Sequence, residues 1–211
     1  MKNLPIKSSC ILFGIIIGTG TFLIPIAWAH PILVWMFNTL LFGVGLSQFH
    51  LSDIDNEKIS DLVRSGDDHR NLDISDPSLS ELNCRILKEG KLILNSTCKS
   101  KELKIKKVWC NYNFNKDIEE PHNHRNSFLS AIYYPLSTDG VIQFFSPFSD
   151  YFLSQIPIED VYDMNCYNSS FYELPVRSGD LVIFNSMLYH RAKLSTDERM
   201  SIAYDINIKS W

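Results

Sequence analysis

Short apolar runs separated by polar turn residues dominate the second half of this chain. Each run has the length of a β-strand and is rich in β-branched and aromatic residues, and glycine, proline or aspartate recurs between the runs. A series of short strands like this is typical of a double-sheet jelly roll. The runs are Leu103–Tyr112, Phe128–Tyr134, Val141–Phe145, Leu181–Phe184 and Arg199–Tyr204.

The first half of the chain predicts fewer regular elements. Leu40–Leu51 has the pattern of a first strand, and Ser52-Asp53 then begins a helix in which apolar residues recur at helical spacing. Residues 82–95 contain short apolar runs interrupted by Gly90, and we expect no strong helix after residue 65. The predicted fold class is therefore mainly β: a double-stranded β-helix, or jelly roll, with one or two flanking helices.

The N-terminal segment is apolar almost throughout. Residues 9–29 are long enough to cross a bilayer as a helix, and two lysines precede them. Three interpretations fit: a membrane anchor that leaves the folded domain in the cytoplasm, a signal peptide cleaved after Ala29, or an extension that packs locally on a cytoplasmic protein. We therefore divide the chain into an apolar extension, 1–36, and a folded domain, 37–211.

Composition and charge exclude some classes of function. The chain has 211 residues, enough for one domain with an appendage, and its formal net charge is −4. No basic patch is interleaved with aromatic residues, so the sequence carries no nucleic-acid-binding signature. None of the five cysteines forms a C-x-x-C pair, and free thiols are the default expectation.

Two histidines one residue apart precede the apolar run at 128–134. If the chain is extended there, His122 and His124 lie on the same face, because side chains alternate across a strand. Pro121 suits the beginning of such a strand, since its ring fixes φ and it has no N–H to donate. An H-x-H pair is a common way to present two nitrogen ligands to a metal, and two unrelated surface histidines are the alternative.

The last third of the chain supplies further polar residues for the same site. His190 follows the apolar run at 181–184, and Arg199 and Ser201 share one face of the last predicted strand. A jelly roll brings early and late strands together, so we expect the three imidazoles to converge, with the arginine deeper in the same barrel. An arginine can bind a carboxylate through two charge-assisted hydrogen bonds.

These features occur in the order found in a known family. An H-x-H pair, a strand ending in two tyrosines, the run G-D-L-V-I-F, a later histidine and then R-x-S resemble the iron(II)- and 2-oxoglutarate-dependent oxygenases. The resemblance is greatest to a branch with W-x-N before the pair, here Trp109-Cys110-Asn111, and with a strand like Ser130–Tyr134 after it. It extends over about residues 38–208.

The resemblance implies a reaction, a cofactor set and a site. The reaction is hydroxylation of a substrate by dioxygen, with conversion of 2-oxoglutarate to succinate and carbon dioxide, and the bound cofactors carry this chemistry. The residues that the resemblance assigns are His122, His124 and His190 as iron(II) ligands, Arg199 and Ser201 for the distal carboxylate of 2-oxoglutarate, and Tyr134 and Asn111 along the same pocket.

One position departs from the usual metal site of this family, which has two histidines and one carboxylate. His124 stands where the carboxylate is expected. Three neutral imidazoles leave the iron with its full dipositive charge, which a dianionic 2-oxoglutarate would neutralise. Glu120 is the reserve carboxylate, because it lies two residues before His122 and would face the same way in an extended chain.

Two other functions stay open at this point. Three histidines without a carboxylate also suit a cupin-like metal enzyme that does not use 2-oxoglutarate. An apolar N-terminus followed by a β domain also fits a non-catalytic β-sandwich that is held at a membrane through residues 9–29 and acts as a binding module. The sequence does not identify a substrate, and we expect its contacts in the long aromatic segment 146–172, because loops at a barrel mouth vary around a fixed site.

Overall fold

The computed structural model describes residues 37–41, 44–65, 70–97, 101–113, 120–147, 169–193 and 197–209. These residues form nine strands and two helices. The elements are β1 Phe37–Leu41, β2 Val44–His50, α1 Asn56–Arg64, α2 Ser80–Thr97, β3 Leu103–Asn113, β4 Leu129–Leu136, β5 Gly140–Phe145, β6 Phe171–Val176, β7 Asp180–Asn185, β8 His190–Ala192 and β9 Arg199–Ile208.

The strands form two antiparallel sheets that pack against each other. The larger sheet has six strands in the order β1-β2-β7-β4-β9-β3, and the smaller has three in the order β6-β5-β8. One hydrophobic core joins them, in which Leu46, Ile132 and Val182 of the larger sheet pack with Ile142 and Phe144 of the smaller. The mainly β jelly roll predicted from the spacing of the apolar runs is confirmed.

Strand β9 shows how one strand serves both the core and the site. Its even-numbered residues from Met200 to Ile206 are fully buried between the larger sheet and the helices. Its odd-numbered residues from Arg199 to Asp205 lie on the opposite face, because side chains alternate along a strand. The inner face of β9 is therefore polar at both ends and faces the interior of the jelly roll.

Helix α2 shows that the expectation of no strong helix after residue 65 was wrong. Its residues Leu82 and Ile86 are fully buried at helical spacing on the outer side of the larger sheet. The glycine that we interpreted as an interruption lies where α2 passes close to β3, since a Cβ on Gly90 would come within 3.0 Å of Leu103 Cδ1. A glycine here permits close packing and does not end the helix.

Helix α1 begins slightly later than Ser52-Asp53 predicted. Its N-cap is Asp55, whose side chain accepts a hydrogen bond from the backbone N–H of Lys58 at 3.1 Å. Ile59 and Val63, which follow the predicted helical spacing of apolar residues, are buried against the larger sheet. The helix and its apolar stripe are confirmed, and only the cap was assigned to the wrong residue.

In the part of the chain that the structure describes, no helix combines the length and the apolar character needed to cross a membrane. Residues 1–36, to which the anchor, signal-peptide and extension interpretations apply, lie outside that part, and so does most of the segment 146–172. The domain boundary near residue 37 stays a prediction. Cys84 and Cys110 are free thiols, as expected.

Candidate metal centre

Backbone hydrogen bonds tie the segment before β4 to the residues around β8. His122 and His190 exchange two hydrogen bonds, from His122 N to His190 O at 3.0 Å and from His190 N to His122 O at 2.9 Å. His124 N donates to Ser186 O at 2.8 Å. The H-x-H pair therefore lies in a loop before β4, which begins only at Leu129, and not on the strand itself as the sequence predicted.

The three histidines predicted as ligands converge. The ring centroids lie 5.4 Å apart for His122 and His124, 4.6 Å for His122 and His190, and 5.1 Å for His124 and His190. One ring nitrogen from each histidine lies within 4.8 Å of the other two. Among the described residues, this is the group of histidine, cysteine and acidic side chains suited to hold a metal ion.

Each of the three rings uses its Nδ1 in a hydrogen bond that points away from the others. His122 Nδ1 lies 3.0 Å from Glu120 O, His190 Nδ1 lies 3.0 Å from Leu188 O, and His124 Nδ1 lies 2.8 Å from Asp205 Oδ1. A carbonyl oxygen can only accept, so Nδ1 carries the proton in the first two rings. The Nε2 lone pairs of those rings are then left for a metal.

Burial keeps the innermost ring neutral. The His190 side chain is almost fully buried, and this burial lowers the pKa of His190 to about 3. The nearby rings of His122 and His124 lower it further, while the hydrogen bond to Leu188 opposes the shift. A metal ligand must be unprotonated, so His190 is ready to bind at neutral pH without losing a proton.

His124, the residue in the place of the usual carboxylate, has a carboxylate behind it. Besides the 2.8 Å contact with Asp205 Oδ1, its Nδ1 lies 3.1 Å from Ser130 Oγ, which in turn donates to Ser186 Oγ. Burial by itself would raise the pKa of Asp205, but the hydrogen bond and charge interaction with His124 lower it overall. The reserve candidate Glu120 is exposed and offers its main-chain oxygen to His122.

A cavity runs from the histidines into the space between the two sheets. Apolar residues of both sheets, including Ile132 and Ile142, complete its wall. The polar residues that the sequence assigned to metal and cofactor all line this one cavity: His122, His124, His190, Arg199, Ser201, Tyr134 and Asn111.

The inner end of this cavity contains a buried cation. Arg199 is only 4 % exposed, and its Nη1 donates to Lys193 O at 2.7 Å. Within the described ranges, no carboxylate lies at salt-bridge distance from it. Asn111 Nδ2 donates to Ser201 Oγ at 3.4 Å on the neighbouring strand. A buried guanidinium without a carboxylate partner is costly unless an anion binds to it.

This arrangement fits the cofactors that the resemblance implies. Three imidazoles present nitrogen ligands from one side, which suits iron(II) and leaves other coordination positions open. The buried Arg199 and the Ser201 hydroxyl lie farther along the same cavity, where they suit the far carboxylate of a short dicarboxylic acid. The donor chemistry of these residues therefore suits both an iron ion and the carboxylates of 2-oxoglutarate.

Comparison with known proteins agrees with this geometry. Residues 107–205, which contain all seven of these residues, match the model of a family described as "Putative 2OG-Fe(II) oxygenase". Over these residues, just under half of the chain, the sequence matches the iron(II)/2-oxoglutarate oxygenases. Its cofactors are those of the family, iron(II) and 2-oxoglutarate, and the enzyme is an oxidoreductase. No curated protein matched the chain.

Solved structures share the fold of this oxygenase at low sequence identity. AviO1 from Streptomyces viridochromogenes Tue57 is 10% identical, with a TM-score of 0.55, over 78% of this chain and 90% of that one. The non-heme alpha ketoglutarate dependent epimerase SnoN from nogalamycin biosynthesis is 13% identical, with a TM-score of 0.53, over 78% of both chains. A Pseudomonas putida prolyl-4-hydroxylase is 14% identical, with a TM-score of 0.52, over 79% and 94%. At these identities the likeness supports the jelly-roll fold only.

Two residues of this oxygenase's site were missed at the level of sequence. Asp205 lies on the same face of β9 as Arg199 and Ser201, so extending their alternation along the strand would have found it. Ser130 is fully buried beside His124, but a serine next to an apolar run gives no such signal. The histidines and the arginine were recognised from the H-x-H spacing, from the alternation along the last strand and from the order of motifs in the family.

Proposed function

We propose that this oxygenase is a dioxygenase that hydroxylates a substrate still to be identified. The reaction consumes the substrate, 2-oxoglutarate and dioxygen and yields hydroxylated product, succinate and carbon dioxide, with one oxygen atom in the product and the other in succinate. The observation that carries the proposal is the shared cavity: three imidazoles converge at one point, and its inner end contains a buried Arg199 that has no carboxylate partner among the described residues.

His122, His124 and His190 hold the iron in this proposal. When bound, the iron and 2-oxoglutarate supply the activation of dioxygen. The protein fixes the ligands through their outward-facing nitrogens, which donate to oxygen atoms of the surrounding chain. This support holds each ring in the orientation that binding requires, so little rearrangement is needed when the metal arrives.

Arg199 and Ser201 bind the distal carboxylate of 2-oxoglutarate in this proposal. The guanidinium supplies charge and two parallel donors, and the hydroxyl supplies a third. Tyr134 and Asn111 line the same cavity. The apolar wall between these residues and the histidines would exclude water from a bound 2-oxoglutarate, and this would strengthen the charged contacts with its carboxylate.

The substrate reaches the centre from the opposite side. Trp109, His122 and His124 line both the inner cavity and an open depression on the surface. The histidines therefore stand between a buried chamber for 2-oxoglutarate and an outer mouth for the substrate. SnoN is an epimerase and the Pseudomonas putida protein is a prolyl-4-hydroxylase, so the reaction of this chain needs its own test.

The test is an anaerobic titration of the full-length apo protein with iron(II) and then with 2-oxoglutarate. We expect the weak visible charge-transfer band of a chelated 2-oxo acid, and we expect it to be lost in His122→Ala and His190→Ala. Succinate formation in air should then depend on iron(II).

The other outcomes separate the alternatives. If iron binds but 2-oxoglutarate produces no band, and oxygen uptake does not depend on 2-oxoglutarate, the three-histidine cupin-like function is correct instead. If no iron binds, the histidines are structural and the proposal fails.

A further inference from the structure

No carboxylate is among the three predicted metal ligands of this oxygenase, but a carboxylate is hydrogen-bonded to one of them. Asp205 Oδ1 lies 2.8 Å from His124 Nδ1, and His124 is the ligand in the position where a carboxylate is usual. The two residues are 81 positions apart in sequence and meet because β9 passes behind the loop that contains the H-x-H pair. Both side chains are well shielded, with 9% of His124 and 15% of Asp205 exposed.

We propose that Asp205 is a positioning residue that gives His124 the negative charge a carboxylate ligand would bring. This inference rests on the proposed function. A carboxylate that accepts the Nδ1 proton fixes the tautomer that leaves Nε2 for the metal, and it makes the imidazole a more basic ligand. The charge lies in a partly buried site, where it is screened less than on an open surface.

The charges of the complete site balance under this arrangement. The iron brings two positive charges and Arg199 one, while 2-oxoglutarate brings two negative charges and Asp205 one. Without Asp205 the buried site would keep an excess positive charge, which is unfavourable in a low-dielectric interior. Asp205 and Arg199 lie on the same face of β9. This one strand therefore supplies a negative charge near the iron ligands and a positive charge for the far carboxylate of 2-oxoglutarate.

Ser130 makes the position of His124 more rigid. Its Oγ donates to Ser186 Oγ and lies 3.1 Å from His124 Nδ1, so it can only accept from that ring. The single Nδ1 proton is therefore shared between a carboxylate and a hydroxyl. A neutral residue of the same shape could accept the hydrogen bond from His124 but would not bring the negative charge. The orienting role and the charge of Asp205 can therefore be tested separately.

The experiment compares Asp205→Asn and Asp205→Ala with the wild-type full-length protein. Affinity for iron(II) is measured anaerobically by calorimetry, and cobalt(II) is used as a coloured substitute whose visible spectrum reports ligand geometry. We expect Asp205→Asn to weaken iron(II) binding about tenfold, and Asp205→Ala to weaken it up to about 100-fold and to change the cobalt(II) spectrum.

The matched control is Asp180→Asn, which removes one negative charge from another aspartate–histidine pair on the same sheet. It should leave iron(II) affinity unchanged. Asp180 is buried and hydrogen-bonded to other groups, which Asp180→Asn would disturb. If Asp180→Asn does not fold, His50→Gln serves as the control. Equal iron(II) affinity in wild type, Asp205→Asn and Asp205→Ala overturns this inference. Failure of the wild type to bind iron(II) overturns the proposed function instead.

A separate observation concerns the outer mouth, where β3 contains a β-bulge. The pairing of β3 with β9 shifts between Ile105 and Lys107, so Lys106 is an extra residue in the strand. Ile105 and Val108 both contact the core, and the bulge therefore lets Lys106 and Lys107 face the mouth together. Bulges next to active sites commonly re-aim side chains in this way.

The mouth is lined by three exposed cations, each of which contacts a neighbouring group. Lys107 Nζ lies 4.9 Å from the centre of the Trp109 ring, and Arg125 Nη2 donates to the Tyr189 hydroxyl at 3.2 Å. Lys106 Nζ donates to a main-chain oxygen at 3.1 Å. Among the described residues that line the mouth, three are cationic and one, Asp205, is anionic and bonded to His124.

We infer that the substrate of this oxygenase carries an anionic group, a carboxylate or a phosphate, next to a flat apolar portion. The cations suit the charge, and the partly exposed Trp109 and Tyr189 suit the flat portion. This inference also rests on the proposed function, since it assigns the mouth to the substrate. The formal net charge of the chain is −4, so attraction of anions is a property of this mouth and not of the whole surface.

The test uses full-length protein with nickel(II) and 2-oxoglutarate bound, so that the inner cavity is filled. Phenyl phosphate, phenylacetate and neutral benzyl alcohol are titrated by calorimetry at low and high salt. We expect at least one of the two anions to bind more tightly than the alcohol and to lose affinity at high salt. Lys107→Gln and Arg125→Gln should each weaken that anion about threefold to fivefold. Which anion binds more tightly decides between carboxylate and phosphate.

The control is Lys104→Gln, which removes the same charge from an exposed position on β3 outside the mouth. Equal effects of Lys104→Gln and Lys107→Gln, or equal binding of the alcohol and both anions, or no binding of any probe, overturns the inference. If the variants slow binding of 2-oxoglutarate and leave the probes unaffected, the cations steer the cofactor and the inference is likewise overturned. Failure of the wild type to bind nickel(II) and 2-oxoglutarate tests the proposed function separately.

Discussion

The larger sheet contributes the aspartates of two aspartate–histidine pairs, which differ in what surrounds the histidine. Asp180 Oδ1 lies 3.0 Å from His50 Nδ1 near the end of β2, and Asp205 Oδ1 lies 2.8 Å from His124 Nδ1 at the mouth of the barrel. The His50 side chain is 58% exposed, whereas the His124 side chain is 9% exposed. The bond between carboxylate and ring is nearly the same in both pairs.

The two pairs differ in what lies on the side of the histidine ring that faces away from the aspartate. His124 has the imidazoles of His122 and His190 as neighbours, with ring centroids 5.4 and 5.1 Å away. His50 has Gly179 against its ring and belongs to no cluster of ligands among the described residues. An aspartate–histidine pair is therefore not a functional signal by itself. Convergence of several such rings in a cavity makes one of these pairs part of a metal site.

The largest effect that we predict is the loss of iron(II) affinity when His124 is removed, and the matched control is removal of His50 from the other pair. His124→Ala should reduce iron(II) affinity by more than about 100-fold, because loss of a ligand exceeds the effect of losing a residue that supports one. His50→Ala should leave that affinity unchanged. The measurement is anaerobic calorimetry with iron(II). Comparable loss in both variants would show that overall stability, and not convergence, governs metal binding.

A similar contrast applies to two arginines, of which one has carboxylate partners and the other has none among the described residues. Arg85 lies 3.6 Å from an oxygen of Asp53 and 3.7 Å from one of Glu89, whereas Arg199 has no described carboxylate at salt-bridge distance. Arg199→Ala should weaken 2-oxoglutarate binding by roughly 100-fold, since it removes two charge-assisted hydrogen bonds. Arg85→Ala should reduce stability and leave this affinity unchanged.

The readout is the charge-transfer band titrated with 2-oxoglutarate in the iron(II)-loaded protein. Unchanged affinity in Arg199→Ala would show that the assignment of the inner cavity is wrong. An equal loss in Arg85→Ala would point to a general effect on folding.

Burial of His190 predicts a dependence of stability on pH. The pKa of His190 is lowered from 6.5 to about 3 in the folded protein, so below pH 6.5 the unfolded chain takes up a proton that the folded chain does not. The stabilising contribution is complete above pH 6.5 and is lost as pH falls toward about 3, by about 1.4 kcal/mol per pH unit. His190→Gln should lack this part of the dependence.

The measurement is urea unfolding of the metal-free protein between about pH 7 and about pH 5, with wild type and His190→Gln compared at each pH. Carboxylates titrate in both proteins, so the difference between them isolates the histidine. Parallel curves would contradict the prediction.

The smallest effect that we predict concerns Gly179, which lies beside the Asp180–His50 pair, and it tests whether that pair has only a structural role. Gly179 has a φ of +87°, and a Cβ there would come within 3.0 Å of His50 Cε1. Gly179→Ala should therefore destabilise the domain by about 1–3 kcal/mol. Iron(II) affinity should stay at the wild-type value under conditions where the variant is folded. Urea unfolding and calorimetry measure the two effects, and a loss of affinity would link this end of the sheet to the metal site.

Much of the fold was predictable because strand patterns are local. The alternation in β9 and the apolar runs of β4 and β7 follow from the period of a strand, and so does the shared face of Arg199 and Ser201. Helix α2 was not recognised because its glycine suits a close contact with β3, which is a property of two elements and not of one. The H-x-H pair was placed on a strand for a related reason, since the backbone hydrogen bonds that hold its loop come from distant residues.

The sequence by itself determined the fold class and indicated the family, the three histidines and Arg199, because residue type and spacing along one chain carry this information. Only the tertiary structure showed that Asp205 lies behind His124 and that Arg199 is buried with no described carboxylate beside it. It also showed that a bulge directs Lys106 and Lys107 into the mouth. Charge compensation depends on distances between groups far apart in sequence, and those distances exist only after the sheets have packed.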